Sequence, residues 1–189
     1  QKCCFLEPNC QRVTSFDWKE VSVNRSLLYF DGKIFAFGGD CNASKSVKSF
    51  NLKESNPEWK REPEILHGHR IPCVVQLSNK IHVFGGYREN VHHQEFDPVL
   101  GKWRERSQMP GLCLLGSAVV LNNKIYLVGG DQRVCFSYDP VTDEWKIHSK
   151  PTHQFDNNSA TVWNGKILLG GQYVKGYHIE EYDPVNDIW

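Results

Sequence analysis

Short apolar segments separated by polar turn residues run along most of the chain. Segments rich in Val, Ile, Leu and aromatic residues flank short turns, with CVVQL and IHVF on either side of Ser78-Asn79 and SAVVL and IYLV on either side of Asn122-Asn123. Asn and Gly tolerate the positive φ that tight hairpin turns require, so each pair of segments predicts two antiparallel strands joined by a hairpin. No stretch keeps the apolar spacing of an amphipathic helix over three turns, and the sequence therefore predicts an all-β fold.

The same signals return at a regular interval. Glycine doublets that end an apolar run are 47, 44 and 41 residues apart: Gly38-Gly39, Gly85-Gly86, Gly129-Gly130 and Gly170-Gly171. Five of the six tryptophans are 41, 44, 42 and 44 residues apart: Trp18, Trp59, Trp103, Trp145 and Trp189. Such a period is typical of architectures that stack one small unit many times. The sixth tryptophan, Trp163, lies off the interval and is interpreted as a core residue.

Each period carries a second turn signal after its glycine doublet. In the last three repeats an aromatic residue, Asp and Pro follow the doublet, and a Trp lies six residues after the Asp. The Asp-Pro step predicts a turn into a strand that carries the Trp, which gives four short strands, a to d, in each period. Because one such unit cannot bury both of its faces, the sequence predicts a β-propeller, with glycine where the neighbouring blade comes close.

The repeats divide the chain into blades. Residues 1–21 are predicted to end a preceding blade, and four blades to cover 22–62, 63–107, 108–149 and 150–189, the last one truncated. The first repeat has Phe50-Asn51-Leu52 in place of Tyr-Asp-Pro, which predicts a looser c–d turn. The fourth, NGKILLGG, has one residue fewer between turn and doublet. A one-residue change reverses side-chain facing along a strand, so either the turn absorbs it or strand b is irregular.

An apolar strand ending in Gly-Gly, an aromatic-Asp-Pro step and a Trp together resemble the kelch repeat, over about residues 22–189. The segments FDPVLGKW and YDPVTDEW are most similar to the kelch domains of BTB-kelch proteins. The resemblance implies a propeller of about six blades, of which this chain would be a fragment with about four, and makes Phe16-Asp17-Trp18 the last strand of an earlier blade. It also implies a protein-binding scaffold, either the substrate-recognition domain of a cullin ubiquitin ligase adaptor, through a BTB domain outside this chain, or an actin-binding cytoskeletal protein.

Charge and cysteine content narrow the function classes. The chain has 22 Lys and Arg against 22 Asp and Glu, so it lacks the positive field that attracts nucleic acid or anionic membranes. Its apolar runs are far shorter than the roughly 20 residues of a spanning helix, which predicts no membrane anchor. The seven cysteines form no C-x-x-C pair and no secretory segment begins the chain, so we expect reduced thiols and a cytoplasmic location.

No catalytic motif is present, and we expect neither enzymatic activity nor a cofactor. The pairs His67 and His69 and His92-His93 are predicted not to bind metal, because adjacent side chains of a strand point to opposite faces. One alternative remains, a kelch-type carbohydrate enzyme with its polar groups at the channel mouth. The residues that topology would place there are Tyr87, Tyr173, His69 and His153.

The binding face follows from strand direction. In an antiparallel blade the b–c and d–a loops emerge on one face, and these loops vary in length, as recognition loops on a rigid scaffold usually do. The kelch resemblance implies that partners bind there, at His69, Arg70, Tyr87, Arg88, Glu89, Gln132, Arg133, Gln172 and Tyr173. Because Arg pairs bidentately with carboxylates, we expect an acidic peptide motif as the partner, with Arg88 and Arg133 as its strongest contacts.

Overall fold

The computed structural model describes residues 2–6, 13–17, 25–39, 45–86, 91–155, 157–174 and 176–189. Every regular element in these ranges is a β-strand: β1 (Lys2–Leu6), β2 (Val13–Asp17), β3 (Arg25–Phe30), β4 (Lys33–Gly38), β5 (Val47–Asn51), β6 (Trp59–Glu62), β7 (Cys73–Leu77), β8 (Lys80–Phe84), β9 (His93–Asp97), β10 (Lys102–Glu105), β11 (Gly116–Leu121), β12 (Lys124–Gly129), β13 (Val134–Asp139), β14 (Glu144–Ile147), β15 (Asn157–Trp163), β16 (Lys166–Tyr173) and β17 (Gly176–Tyr182). Within the described residues, no helix has the length and apolar character needed to span a membrane.

Consecutive strands pair antiparallel into blades. Blade 1 (β3–β6), blade 2 (β7–β10) and blade 3 (β11–β14) are four-stranded sheets in chain order, and blade 4 (β15–β17) has three strands. A single antiparallel bridge between Asp183 and Ile188 stands where blade 4 would have its fourth strand. Strands β1 and β2 form a separate two-stranded sheet. The predicted β-propeller is confirmed, whereas the limits drawn between repeats stay predictions, and Trp18 lies outside the described residues.

The hairpin turns have the backbone that the sequence predicts. Ser78 and Asn79 have φ of 50° and 59°, and Asn122 and Asn123 have φ of 51° and 58°. Two successive positive φ values define the turn type whose twist matches that of paired strands. The a–b hairpins are therefore specified by two residues each.

The apolar core lies between blades rather than inside them. The first strands of successive blades, β3, β7, β11 and β15, lie next to one another. One buried cluster joins Phe37 of blade 1 to Ile81 of blade 2, a second joins Phe84 to Leu127 of blade 3, and a third joins Val128 to Ile167 of blade 4. Each blade is stabilised by its neighbours, as in other repeat folds.

Trp103 and Trp145 pack at these interfaces, against Phe37 of blade 1 and Phe84 of blade 2. In blade 3 the half-buried Trp145 ring packs 5.0 Å from buried Tyr138 and donates its indole N–H to the Ser107 carbonyl at 2.8 Å. Trp103 and Trp189 make the same bond to the segments that enter blades 2 and 4. The off-interval Trp163 is 58% exposed, so its interpretation as a core residue was wrong. It is the last residue of β15, directly before the a–b turn of blade 4.

The fourth repeat keeps its register despite its missing residue. Ile167 pairs with Tyr182 just as Ile125 pairs with Tyr138 in blade 3, so the buried face of the strand is preserved from the turn onward. The missing residue changes the glycine doublet instead, because Gly170 takes the place of Val128. Neither Gly170 nor Gly171 has a positive φ, and β16 continues through them to Tyr173. The longer strand brings Tyr173 onto the side of the blade that carries the b–c loop.

Candidate functional site

The d–a and b–c connections share one side of the propeller, as predicted from strand direction. Leu114 of a d–a connection donates its backbone N–H to the Gln132 side chain at 3.1 Å, and Arg133 donates from Nη1 to the Thr152 carbonyl at 3.0 Å. Both bonds join a b–c connection to a d–a connection. We call this side the loop face. Its described parts are the d–a connections 63–72, 106–115 and 148–155, the b–c residues 39, 45–46, 85–86, 91–92 and 130–133, and the adjoining ends of β16 and β17.

The opposite side carries lysines whose charges are already paired. Lys80 lies 2.6 Å from the Asp97 carboxylate, Lys124 lies 3.1 Å from Asp139, and Lys166 lies 2.6 Å from Glu181. The ammonium of Lys80 lowers the pKa of the Asp97 carboxyl below its ordinary value, so that pair stays charged at neutral pH. These lysines are therefore less suited to hold an anionic partner than an arginine without a carboxylate at its side.

The described site residues occupy two parts of the loop face. Arg70 lies in the connection into blade 2, whereas Gln132, Arg133, Gln172 and Tyr173 lie at the junction of blades 3 and 4. Arg133 is exposed, and its φ of 50° turns the chain at the tip of the b–c connection. Tyr87, Arg88 and Glu89 lie outside the described residues.

Arg133 and Tyr173 meet through the segment Thr152-His153. Arg133 binds the Thr152 carbonyl, and the Tyr173 ring packs edge to face against the His153 ring at 4.7 Å. The structure therefore brings two predicted contact residues, from consecutive blades, onto one continuous surface.

His69 is buried rather than exposed, which corrects its predicted placement as a surface residue. Its Nδ1 lies 2.5 Å from the Gly85 carbonyl, and its Nε2 lies 2.6 Å from the Gln94 amide nitrogen. Burial lowers the pKa of His69 to about 4, so the ring is neutral and can donate from Nδ1 and accept at Nε2. His69 joins the d–a connection to the end of β8 and does not present its ring to a partner.

Two residues that the sequence did not single out hold the d–a connections in place. Glu180 accepts the backbone N–H groups of Thr152 and His153, both at 2.7 Å. Gln94 accepts the His67 N–H at 3.0 Å and donates to the His67 carbonyl at 3.2 Å. The sequence does contain a signal for both residues, because each is a polar residue two positions before the buried aromatic residue of strand c. Such a residue is buried in the blade and needs a hydrogen-bonding partner.

Histidines gather on the loop face from separate segments. His93 is buried, whereas His92, just before β9, is half-buried. His92 instead stacks on His67 at 3.7 Å, and Glu105 is the third member of this group. A second group consists of His153, His178 and Glu180. The alternation of side chains along a strand thus excluded a metal site formed by two sequence neighbours. It did not exclude a site formed by residues that the fold brings together.

The residues of the enzyme alternative do not come together in the described structure. His153 meets Tyr173, but His69 is buried at the entry of blade 2, two blades away in chain order. Tyr87, the fourth residue of that set, lies outside the described residues.

A comparison with protein families decides the nature of the repeat. The family model of the Kelch motif matches residues 113–147, which include all four strands of blade 3 with Gly129-Gly130 and Trp145. Blade 3 is a kelch repeat. The blades on either side share the pairing and turn geometry of the matched repeat, so the resemblance drawn from the sequence is confirmed.

Several curated kelch proteins are similar to this chain. Kelch-like protein 23 from Pongo abelii is 27% identical over 93% of this chain, and Kelch-like protein 24 from Rattus norvegicus is 35% identical over 50% of it. Alpha-scruin from Limulus polyphemus is 24% identical over 80% of it. The chain spans only 34%, 16% and 19% of the lengths of these three relatives.

A solved structure of YjhT has a similar fold. It superposes with a TM-score of 0.71 over 85% of this chain and 62% of the other, at 14% sequence identity. At that identity the likeness concerns the propeller fold alone.

Proposed function

We propose that the loop face is a protein-binding surface that takes an acidic linear motif. The observation that carries the proposal is the position of Arg133, an exposed arginine held at the junction of blades 3 and 4 by its bond to the Thr152 carbonyl. That bond uses one terminal nitrogen of a guanidinium that has five N–H donors. The other donors can pair with a carboxylate, while the lysines of the opposite side already have acidic partners.

The rest of the surface suits a peptide. Tyr173 offers a half-buried aromatic ring on the same Thr152-His153 segment that Arg133 binds, and Gln172 precedes it at an exposed position. Arginine and tyrosine are enriched among the residues that dominate binding energy at interfaces. Arg70, and Arg88 as predicted from the sequence, would extend the basic surface toward blade 2.

A wider role can be proposed from the similar proteins. We infer that the chain is the recognition part of a BTB-kelch adaptor of a cullin ubiquitin ligase in the cytoplasm, with no catalytic chemistry of its own. Similarity to Kelch-like proteins from several mammals supports this role. Actin binding, the alternative left by the sequence, makes the same use of a propeller as a binding scaffold and differs only in the partner.

The binding proposal is tested by recovery of partners with the intact protein. Arg133→Ala and Arg88→Ala are each expected to weaken recovery of the partner more than tenfold without changing the Tm, because truncation of a central arginine removes a charge-assisted pair. Lys124→Ala, on the opposite side, is the matched control. Unchanged recovery with both arginine variants would remove the loop face, and loss with Lys124→Ala would favour the other side.

The adaptor role has a separate test. A cullin that co-purifies with the intact protein supports the ubiquitin ligase, whereas co-sedimentation with actin filaments and no cullin supports the alternative. Loss of the cullin on deletion of residues outside this chain, with the acidic partner retained, would locate the two functions in different domains.

A further inference from the structure

Blades 2 and 4 carry a histidine pair at the same structural positions. His67 and His153 both donate their backbone N–H to a side chain two residues before the buried aromatic of strand c, Gln94 in one blade and Glu180 in the other. Two residues further back along the chain lie His92 and His178. The first histidine of each pair therefore comes from a d–a connection, and the second lies just before strand c in blade 2 and within strand c in blade 4.

The pair is not a general property of the repeat. In blade 3 the corresponding positions hold Gly111 and Val134, and Val134 is buried. In each of the two blades that have the histidines, a carboxylate completes a group of three possible ligands, Glu105 in blade 2 and Glu180 in blade 4.

The group in blade 4 has the better geometry for sharing one ion. A nitrogen of imidazole binds a metal in the plane of its ring, so two rings can share an ion only where their planes meet. The rings of His153 and His178 are 4.5 Å apart and inclined by 56°, so their planes cross close to both rings. His67 and His92 are stacked 3.7 Å apart with only 4° between their planes, and one ring would have to turn before both could bind the same ion.

Glu180 is a fixed carboxylate rather than a mobile surface one. It is 8% exposed, and the backbone N–H groups of Thr152 and His153 bind its two oxygens at 2.7 Å. Hydrogen bonds of this kind orient a metal ligand and are found behind most protein metal sites. The same carboxylate lies 2.5 Å from Nδ1 of His153, so a cation at this point would take the place of a shared proton.

We propose that His153, His178 and Glu180 bind a divalent transition-metal ion of the zinc class. Two imidazoles and one carboxylate are a ligand set that such ions accept, with bonds of about 2.0–2.2 Å and one position open for water or for a ligand from a partner. The three candidate ligand atoms already lie within 4.8 Å of one another, and His178 is exposed, so rotation of its side chain can close the set. The proposal does not depend on the protein-binding function argued above.

The test uses the intact protein without an affinity tag, titrated with Co²⁺ by visible absorption and with Zn²⁺ by competition. Glu180→Gln removes the carboxylate but keeps an acceptor for the loop, as Gln94 does in blade 2. It is expected to weaken metal binding at least tenfold, and to lower the Tm of the metal-free protein modestly, because the amide oxygen can replace only one of the two acceptors that Thr152 and His153 use. His178→Ala, at an exposed position, is expected to weaken metal binding equally. This substitution leaves the hydrogen bonds between Glu180 and the d–a connection in place.

His92→Ala is the matched control, because it removes the equivalent histidine of blade 2, and it should leave the affinity within about twofold of wild type. The proposal is overturned if the wild-type protein binds neither ion. It is also overturned if either folded variant, Glu180→Gln or His178→Ala, retains the wild-type affinity, or if His92→Ala alone loses it.

Discussion

Glycine at the end of strand b is required by both backbone conformation and space. Gly130 has a φ of +70°, and a Cβ built on it would lie 2.3 Å from the Leu114 carbonyl oxygen of the d–a connection. Gly165, in the a–b turn of blade 4, has a φ of +74° but no atom within 4 Å of the same point. Gly130 and Gly165 therefore share the left-handed backbone conformation, but only at Gly130 would a Cβ clash with a neighbouring atom.

Gly130→Ala should destabilise the protein far more than Gly165→Ala. The left-handed backbone alone costs about 1–2 kcal/mol for an L-residue, which is the whole expected effect at Gly165. At Gly130 the d–a connection must also move. We therefore expect the free energy of unfolding to fall by about 3 kcal/mol or more, as for substitutions that disrupt a packed core. The free energy of unfolding in urea measures both, and equal losses would show that close approach does not select this glycine.

A buried histidine pair between blades 2 and 3 makes stability depend on pH. His82 and His93 are both 1% exposed, with Nδ1 of His82 3.0 Å from Nε2 of His93. Burial lowers the pKa of His82 to about 4 and that of His93 to about 2. Glu95 and Arg106 form an ion pair beside them at 2.7 Å, and the Tyr138 ring packs on His93.

The folded state should lose stability as the pH falls below 6.5. Both rings are neutral when folded, whereas the unfolded chain binds protons at its ordinary histidine pKa, so protons favour unfolding through the window from about 6.5 down to about 4. Between pH 7.5 and 5.5 each such histidine should cost roughly 1 kcal/mol. Urea unfolding at the two pH values measures the change, and a His82→Asn variant should show a smaller one. A wild-type stability that is the same at both pH values would contradict this assignment.

At the scale of the strand, Trp103, Trp145 and Trp189 each donate a hydrogen bond to the segment that enters their own blade. Trp145 packs against Phe84 of blade 2 and Tyr138 of its own blade, and its N–H binds the Ser107 carbonyl. The Ser107 N–H binds Asp143, which also accepts the hydroxyl of Tyr138 at 2.6 Å. One tryptophan, one tyrosine and one aspartate thus fix the start of the d–a connection.

Trp145→Ala should cost about 3 kcal/mol of unfolding free energy, at the lower end for aromatic truncation because the ring is half-buried. Trp145→Phe keeps much of the packing but leaves the Ser107 carbonyl without its indole donor, and should cost about 1 kcal/mol. Trp163→Ala is the control, since this exposed tryptophan lies off the repeat, and its effect should be near zero. Comparable losses at Trp145 and Trp163 would contradict the assignment of the strand d tryptophan to the blade interface.

The elements that were predictable are those specified by residues close in sequence. The a–b turns, the strands on either side and the positive φ of Gly129 and Gly130 follow from a few neighbouring residues. The Asx turn that opens the c–d connection also tolerates substitution, because Asn51 accepts the Lys53 N–H just as Asp139 accepts that of Val141. The doublet of the fourth repeat did not follow the pattern, since strand pairing kept Ile167 buried and moved the shift to the end of the strand.

The site was only partly predictable because its contacts join distant segments. Strand direction placed Arg133 and Tyr173 on one side, but nothing local shows that His69 is buried by Gly85 and Gln94. The bond between Glu180 and Thr152 likewise joins residues of two different elements. Such contacts depend on how one blade enters the next, which a pattern within one repeat does not contain.

At the scale of the whole molecule, blade 4 presents an open face. Its Ile179 corresponds to Cys135 of blade 3, counted from the buried Tyr182 and Tyr138, and Cys135 is 1% exposed whereas Ile179 is 68% exposed. Cys135 is covered by blade 4, and no described element covers Ile179 in the same way. Tyr177 is exposed on the same strand. This surface is apolar like the faces that pack between blades, but no described blade packs against it.

Residues 1–189 expressed alone should therefore self-associate. Exposed apolar sheet faces and strand edges drive association between copies, and repeat proteins need capping units for solubility. Light scattering after size exclusion should show an average mass that rises with protein concentration, and Ile179→Lys should lower that mass. Val141→Lys is the control, because Val141 is 90% exposed in a c–d turn on the opposite side from the loop face. Its substitution leaves the blade face intact and should not change the mass. A monomeric mass at all concentrations, with a sharp and concentration-independent melt, would mean that blade 4 is stable without a neighbour on this face.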